Sequence, residues 1–280
     1  MKVIQKAQEM HDWAKAQIKQ RARIALVPTM GYLHEGHLSL VAIARANADL
    51  VIASIFINPT QFSPNEDFAQ YPRDLKGDLQ KLEVAGVDVV FTPNEGEMYP
   101  PGFATYIVPT DLANVLCGIS RPHHFRGVCT IVHLLFRMTK AHVAVFGEKD
   151  YQQLTIIRRM VCDLWLDVEI IGGPTVREVD GLAKSSRNTY LSADERLDAL
   201  ILFKTLNQIE ATFKTGERRV EKLLEQARKN ISTVASARID YIEIVSADDL
   251  VKLNIIDRKA ICAMAVFIGK TRLIDNRALV

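Results

Sequence analysis

Five short apolar runs, at residues 24–27, 50–57, 87–91, 143–146 and 168–171, are separated by segments whose apolar residues recur at helical spacing. This alternation is what most restricts the possible folds. Between the second and third runs Leu75, Leu79 and Leu82 share one helical face, and before the fourth Val128, Ile131, Val132, Leu135 and Met138 do the same. Runs that are mostly apolar without strict alternation suit strands buried on both faces, so the pattern predicts a doubly wound, Rossmann-like parallel sheet of the α/β class. Ligands of such sheets bind outside the carboxyl ends of the strands. The residues just after the runs are therefore the candidate site: His34 and His37 after the first, Asn58-Pro59-Thr60-Gln61-Phe62 after the second, and Gly147-Glu148-Lys149-Asp150 after the fourth.

The rhythm changes after Gly172-Gly173-Pro174. A boundary near Thr175 is expected, with a nucleotide-binding domain over 1–174 and a smaller α+β lid domain over 175–280. The second part carries a polar loop at 180–188, an amphipathic helix across 194–215, a helix over 219–233 and strands at 241–245 and 260–268.

The first run leads into Val27-Pro28-Thr29-Met30-Gly31-Tyr32-Leu33-His34-Glu35-Gly36-His37, after which Leu38, Leu40, Val41, Ile43 and Ala44 recur at helical spacing. This is a strand-to-helix turn. A helix N-terminus exposes unpaired N–H groups and the positive end of the dipole, so it favours anions. His34 and His37 are three apart and share a face once the helix has begun. The pattern fits a phosphate site, and a pair of cap or solvated histidines is the alternative. Zinc is disfavoured, because H-E-G-H is not the H-E-x-x-H spacing and no further His or Cys lies nearby, so no metal ligand is assigned.

A formal charge of +2 over 35 basic and 33 acidic residues, without a basic block, gives no sign of a nucleic-acid partner. Cys117, Cys129, Cys162 and Cys262 are widely separated and form no C-x-x-C pair, which suggests reduced thiols and a cytoplasmic location. Lys2, Lys6, Glu9 and Asp12 argue against a signal peptide. The longest apolar run, 260–268, is far short of the ~20 residues that cross a bilayer, so no membrane partner is expected.

Taken in order, P-T-M-G-Y-L-H-E-G-H, I-N-P-T-Q-F, F-G-E-K-D-Y-Q-Q-L and S-S-R-N resemble the motifs of the pantoate–β-alanine ligase (pantothenate synthetase) family, which belongs to the class I synthetase-like nucleotidyltransferases. The resemblance implies an ATP-dependent ligase that joins pantoate to β-alanine through a pantoyl adenylate, releasing AMP and pyrophosphate. It also implies Mg²⁺ accompanying ATP, and a homodimer. By motif match, His34, His37, Lys149 and Arg187 carry the catalytic roles, with His37 the better candidate for stabilising the transition state. ATP contacts fall to these four and to Met30, Gly31, Gly147, Glu148, Asp150, Val176, Lys184, Ser185 and Ser186. Met30, Gln61 and Gln153 match positions that hold pantoate, and Gln61 also serves β-alanine.

One departure is visible, since the family commonly reads M-S-S-R-N where this chain has Lys184-Ser185-Ser186-Arg187-Asn188. The Lys184 side chain either joins the phosphate cluster or stays solvated. Asp78, in a family-like Y-P-R-x-L-x-x-D stretch, is either an outer ligand of Mg²⁺ or part of a charged helix face. Two other readings stay open: a different H-x-G-H nucleotidyltransferase, and a nucleotide-binding module without chemistry.

Overall fold

The computed structural model describes residues 1–64 and 66–280. In chain order these give β1 (Lys2–Ile4), α1 (Ala7–Lys19), β2 (Ile24–Thr29), α2 (Glu35–Asn47), β3 (Leu50–Ile55), α3 (Leu75–Val84), β4 (Val89–Phe91) and α4 (Glu95–Met98). There follow α5 (Cys117–Ser120), α6 (His124–Thr139), β5 (Val143–Gly147), α7 (Tyr151–Asp163) and β6 (Glu169–Gly173). The last part holds α8 (Ala193–Asp198), α9 (Leu200–Lys214), α10 (Val220–Ile231), β7 (Ala237–Ser246), β8 (Ala260–Ile268) and β9 (Thr271–Leu279).

Two compact units result. The first comprises Met1–Thr110, Arg121–Glu148 and Ile156–Pro174, and is built on a six-stranded parallel sheet in the order β1-β4-β3-β2-β5-β6. The chain runs outward from β2 through β3 to β4, then restarts on the other side of β2 at β5. The switch point therefore lies between β2 and β5, whose Ala25 and Leu26 pair with Val143 and Ala144. Val27, Val51, Ala53, Val90 and Val145 pack with Leu40, Val41 and Ala44 of α2 in one buried cluster. Each such Val or Leu contributes about 1.5–3 kcal/mol relative to exposure. Strand β1 escaped the sequence reading because three residues carry no period.

The second unit comprises Asp111–Ser120, Lys149–Thr155 and Thr175–Val280. Its antiparallel sheet runs β7-β8-β9. Alternate residues of β8 serve opposite faces, as strand geometry requires. Cys262, Met264 and Val266 meet Leu202, Leu206, Ile209, Leu223 and Leu224 of α9 and α10. Ile261 and Ala263 join Val245 and Leu250 beneath Leu112, Val115, Leu116 and Tyr151. This second cluster explains why two segments preceding Thr175 in sequence group with the later part of the chain. The Gln152 amide secures them, donating to the Leu112 and Val115 carbonyls at 2.9 and 2.7 Å and accepting from Cys117 N at 3.0 Å. The helical stretch expected across 194–215 forms as α8 and α9, which abut at Ala199, and a Ser192–Glu195 capping box starts α8. Strand β9 was not anticipated, although its inward and outward residues alternate.

Candidate nucleotide site

Directly after β2 the chain passes through two consecutive left-handed residues, Gly31 (φ 84°) and Tyr32 (φ 52°). A Cβ on residue 31 would sit 3.0 Å from both Asp78 Oδ2 and Ile55 Cγ2, so glycine suits both the turn and the close approach. The turn is held from α3. Asp78, 1% exposed, accepts from Tyr32 N and Leu33 N at 2.7 Å each, and Lys81 Nζ donates to the Leu33 carbonyl at 2.7 Å. Asp78 thus lies on no solvated helix face, and its oxygens are engaged by backbone N–H groups in a spot closed to solvent.

The two histidines form a capping box at the start of α2. His34, in extended conformation at the N-cap, accepts from Gly36 N through Nδ1 at 3.1 Å, and His37 Nδ1 accepts from His34 N at 3.3 Å. Their ring centroids are 4.1 Å apart. With each Nδ1 accepting, a ring in its neutral form would carry its proton on Nε2. The cap alternative weighed for H-x-G-H is thus realised, and the two rings stand at the positive end of the α2 dipole. Across the switch point, Gly147 closes β5 opposite Gly173, and Glu148 follows, half-buried.

The turn after β3 carries Gln61, whose Nε2 reaches the Met30 sulfur at 3.1 Å while its Oε1 accepts from Asn58 Nδ2 at 3.1 Å. Asn58, 1% exposed, also donates to the Gly127 carbonyl at 3.1 Å and accepts from Tyr99 Oη at 2.8 Å. Burial raises the Tyr99 pKa above its ordinary value, which keeps that hydroxyl a donor. At Gly127 a Cβ would come within 2.5 Å of Thr60 O and 2.6 Å of Gln61 N, so only glycine lets α6 lie this close to the turn. The Gln61 carbonyl accepts from His124 Nδ1 at 2.9 Å and Arg121 Nη2 at 3.2 Å, and Arg121 Nε pairs with Glu66 at 2.8 Å. Asn58 lies in the stretch expected to form the site, whereas Arg121, His124 and Glu66 were not assigned from sequence. The His-His dipeptide following Arg121-Pro122 was their one visible signal.

In the second unit Lys149 and Ser185 line one small pocket with Leu182, Ala183, Asn188 and Asp275. Asp150 is exposed at the start of α7 and Gln153 is half-buried on it. Residues 176–184 fold back on themselves: Lys184 N donates to the Val176 carbonyl at 2.9 Å, and Arg177 bridges Ala183. Ser185 caps the following turn by accepting from Arg187 N at 3.3 Å, with Ser186 buried and Arg187 half-buried. Lys184 Nζ pairs with Glu178 at 3.1 Å, so its ammonium is neutralised within its own hairpin. The Arg196 guanidinium beside Asp180 holds that carboxyl below the usual aspartate value, aided by the Leu182 N–H.

A parallel doubly wound sheet whose switch point is flanked by a histidine-capped helix N-terminus defines an α/β protein of the nucleotide-binding class. The pantoate–beta-alanine ligase family model matches residues 2–278, and the chain belongs to that family. It is 52% identical over 279 residues to the pantothenate synthetase of Thermotoga petrophila, with all of both chains covered, and 52% identical over 276 residues to that of Acetivibrio thermocellus, covering 99% and 98%. Among solved structures, pantothenate synthetase from Thermus thermophilus superposes with a TM-score of 0.94 at 43% identity, covering 99% of each chain. The Francisella tularensis ligase, complexed with beta-gamma ATP and beta-alanine, gives 0.82 at 38% identity, covering 99% of this chain and 97% of that one.

Proposed function

We propose that this chain is an ATP-dependent ligase condensing pantoate with β-alanine to give pantothenate, AMP and pyrophosphate. The observation carrying the reading is the ligase-family match along the whole chain. A free carboxylate is a poor acyl donor, so activation comes first. A pantoate oxygen attacks the α-phosphorus in line, pyrophosphate departs, and the β-alanine amine then attacks the acyl carbon of pantoyl adenylate and displaces AMP.

In this proposal the Nε2–H groups of His34 and His37 meet the triphosphate at the α2 N-terminus, and His37 stabilises charge on the departing pyrophosphate. Lys149 and Arg187 add cationic donors, Ser185 and Ser186 add hydroxyl and backbone donors, and Met30, Gly31, Gly147, Glu148, Asp150, Val176 and Lys184 complete the nucleotide contacts. Met30, Gln61 and Gln153 bind pantoate, and Gln61 also meets β-alanine. The Met30–Gln61 contact supports this, since it brings two of the three pantoate candidates together. Residues 1–174 would bind nucleotide and pantoate, and 175–280 would serve as a lid carrying the Ser-Ser-Arg-Asn loop.

Among the described residues no group of three His, Cys, Asp or Glu could hold a metal ion. We assign Mg²⁺ to the incoming triphosphate, as part of the substrate, because this ion keeps several waters and binds largely through phosphate oxygens. A homodimer, testable by sedimentation, and a cytoplasmic location are proposed on the family likeness. Among the described residues no helix is long and apolar enough to cross a membrane. Supplying ATP, pantoate and β-alanine should yield AMP and pantothenate in equal amounts. A stable nucleotide-linked product without an amide would refute the assignment.

A further inference from the structure

We infer that Asp275 and Asn276 of β9 are positioning residues that hold the Lys149 turn and the Ser185–Ser186–Arg187 loop in a fixed relation. The inference rests on the assignment of those two segments to the triphosphate. The Asp275 side chain is 1% exposed and bidentate with Arg177, Oδ2 accepting from Nη1 at 2.7 Å and Oδ1 from Nη2 at 2.9 Å. Arg177 begins the hairpin that delivers the loop. Its Nη1 also donates to the Gly181 carbonyl at 3.0 Å, and its guanidinium lies 5.0 Å from the Phe203 ring centroid.

The next residue of the strand grips the other segment. Asn276 Nδ2 donates to the Lys149 carbonyl at 2.9 Å, and Asn276 N donates to Asp275 Oδ1 at 2.8 Å. Two adjacent residues thus tie down chain segments that precede them by 98 and 127 positions. Lys149, Ser185 and Asp275 face the same pocket, so a shift of β9 would move a proposed cation and a proposed hydroxyl donor together. A buried ion pair is weak as a source of stability, because apolar replacements of like volume often do as well. What Arg177 and Asp275 supply here is direction, a planar fork that fixes the hairpin against the strand.

The test measures steady-state kinetics and thermal midpoints for Asn276→Ala and for the double variant Arg177→Met/Asp275→Leu, with Lys149→Ala alongside. Asn276→Ala should raise the KM for ATP roughly tenfold while the KM for pantoate changes less than about twofold, since one anchoring hydrogen bond is lost. The double variant should do the same without leaving a buried charge unpaired, and if it fails to fold, Asn276→Ala decides alone. A purely structural role would lower the thermal midpoint and leave the KM for ATP unchanged. If Lys149→Ala impairs ATP use but the β9 variants do not, the inference is overturned while the site reading survives. If Lys149→Ala itself leaves ATP kinetics intact, the site reading falls and takes the inference with it.

Discussion

The Asp78 side chain accepts the backbone N–H of Leu33 at 2.7 Å, so a buried polar group on α3 fixes the residue that immediately precedes His34. With its second bond to Tyr32 N, it stabilises a turn containing two successive left-handed residues. Asp78→Asn preserves volume but points an amide NH₂ at a backbone N–H. The expected cost is about 1–3 kcal/mol in urea unfolding. Turnover of the folded enzyme should fall by ~10-fold or more as His34 and His37 lose their aim. Unaltered kcat in a variant that folds would show that Asp78 holds the loop without orienting the rings.

The imidazoles themselves invite a sharper separation. Each Nδ1 already serves the helix cap, so His37→Ala removes both a cap acceptor and the proposed donor to the leaving pyrophosphate. ATP binding should weaken modestly, and turnover should drop by ~10² or more, the loss expected for a transition-state donor. His37→Asn can restore a cap acceptor but not an Nε2–H at the same reach. Recovery of stability without recovery of turnover would separate the two roles, and wild-type turnover in His37→Ala would end the catalytic one.

Much of this was readable from residues alone, for a physical reason. Strands buried on both faces leave uninterrupted apolar runs, and ligands of such sheets generally meet the turns that follow them, so β2 with His34 and His37, and β5 with Gly147 and Glu148, stand out as candidates. The supports did not. Asp78, read as an outer metal ligand or part of a charged helix face, and Asp275, which no pattern marks, become buried anchors through contacts 45 and 98 residues away. Gln152 and Gln153 make the same point. As letters they are identical, yet one is buried in hydrogen bonds to 112–117 while its neighbour is half-buried. Local pattern shows which segments follow the strands, and tertiary contact decides which polar residues hold them in place.

Lys184 stands where the family commonly has methionine, and its ammonium pairs with Glu178 at 3.1 Å. A pair that is part-exposed contributes little, on the order of 0–1 kcal/mol. Lys184→Met should therefore leave the thermal midpoint nearly unchanged and the KM for ATP within about twofold, because the charge is already balanced inside the hairpin. A markedly larger KM would mean instead that the ammonium leaves Glu178 to join the phosphates.

Three of the four cysteines should separate by reactivity. Burial pushes the thiols of Cys129 and Cys262 up to about 12, whereas Cys162 is exposed. Since the thiolate is the reacting form, a thiol reagent near neutral pH should modify Cys162 first and reach Cys129 and Cys262 only after denaturation. Mass mapping of the labelled sites checks the order, and early labelling of Cys262 would mean that the C-terminal sheet opens in the native state.

Acid should loosen the hairpin that carries the Ser-Ser-Arg-Asn loop. The Arg196 hydrogen bond is the largest cause lowering the Asp180 pKa from 3.8, so the folded state holds this carboxyl ionised more firmly than the unfolded chain does. A group with a depressed folded pKa stabilises the fold fully above its unfolded value, and that contribution is lost as pH falls through the folded one. The sign gives a clear signature. The stability gap between the wild-type chain and Asp180→Asn should be constant well above pH 3.8 and close progressively below it, as both then present a neutral group to Arg196. Urea unfolding across a pH series measures the gap directly. A gap that stays constant to the lowest pH would show that Arg196 gains nothing from the charge on Asp180.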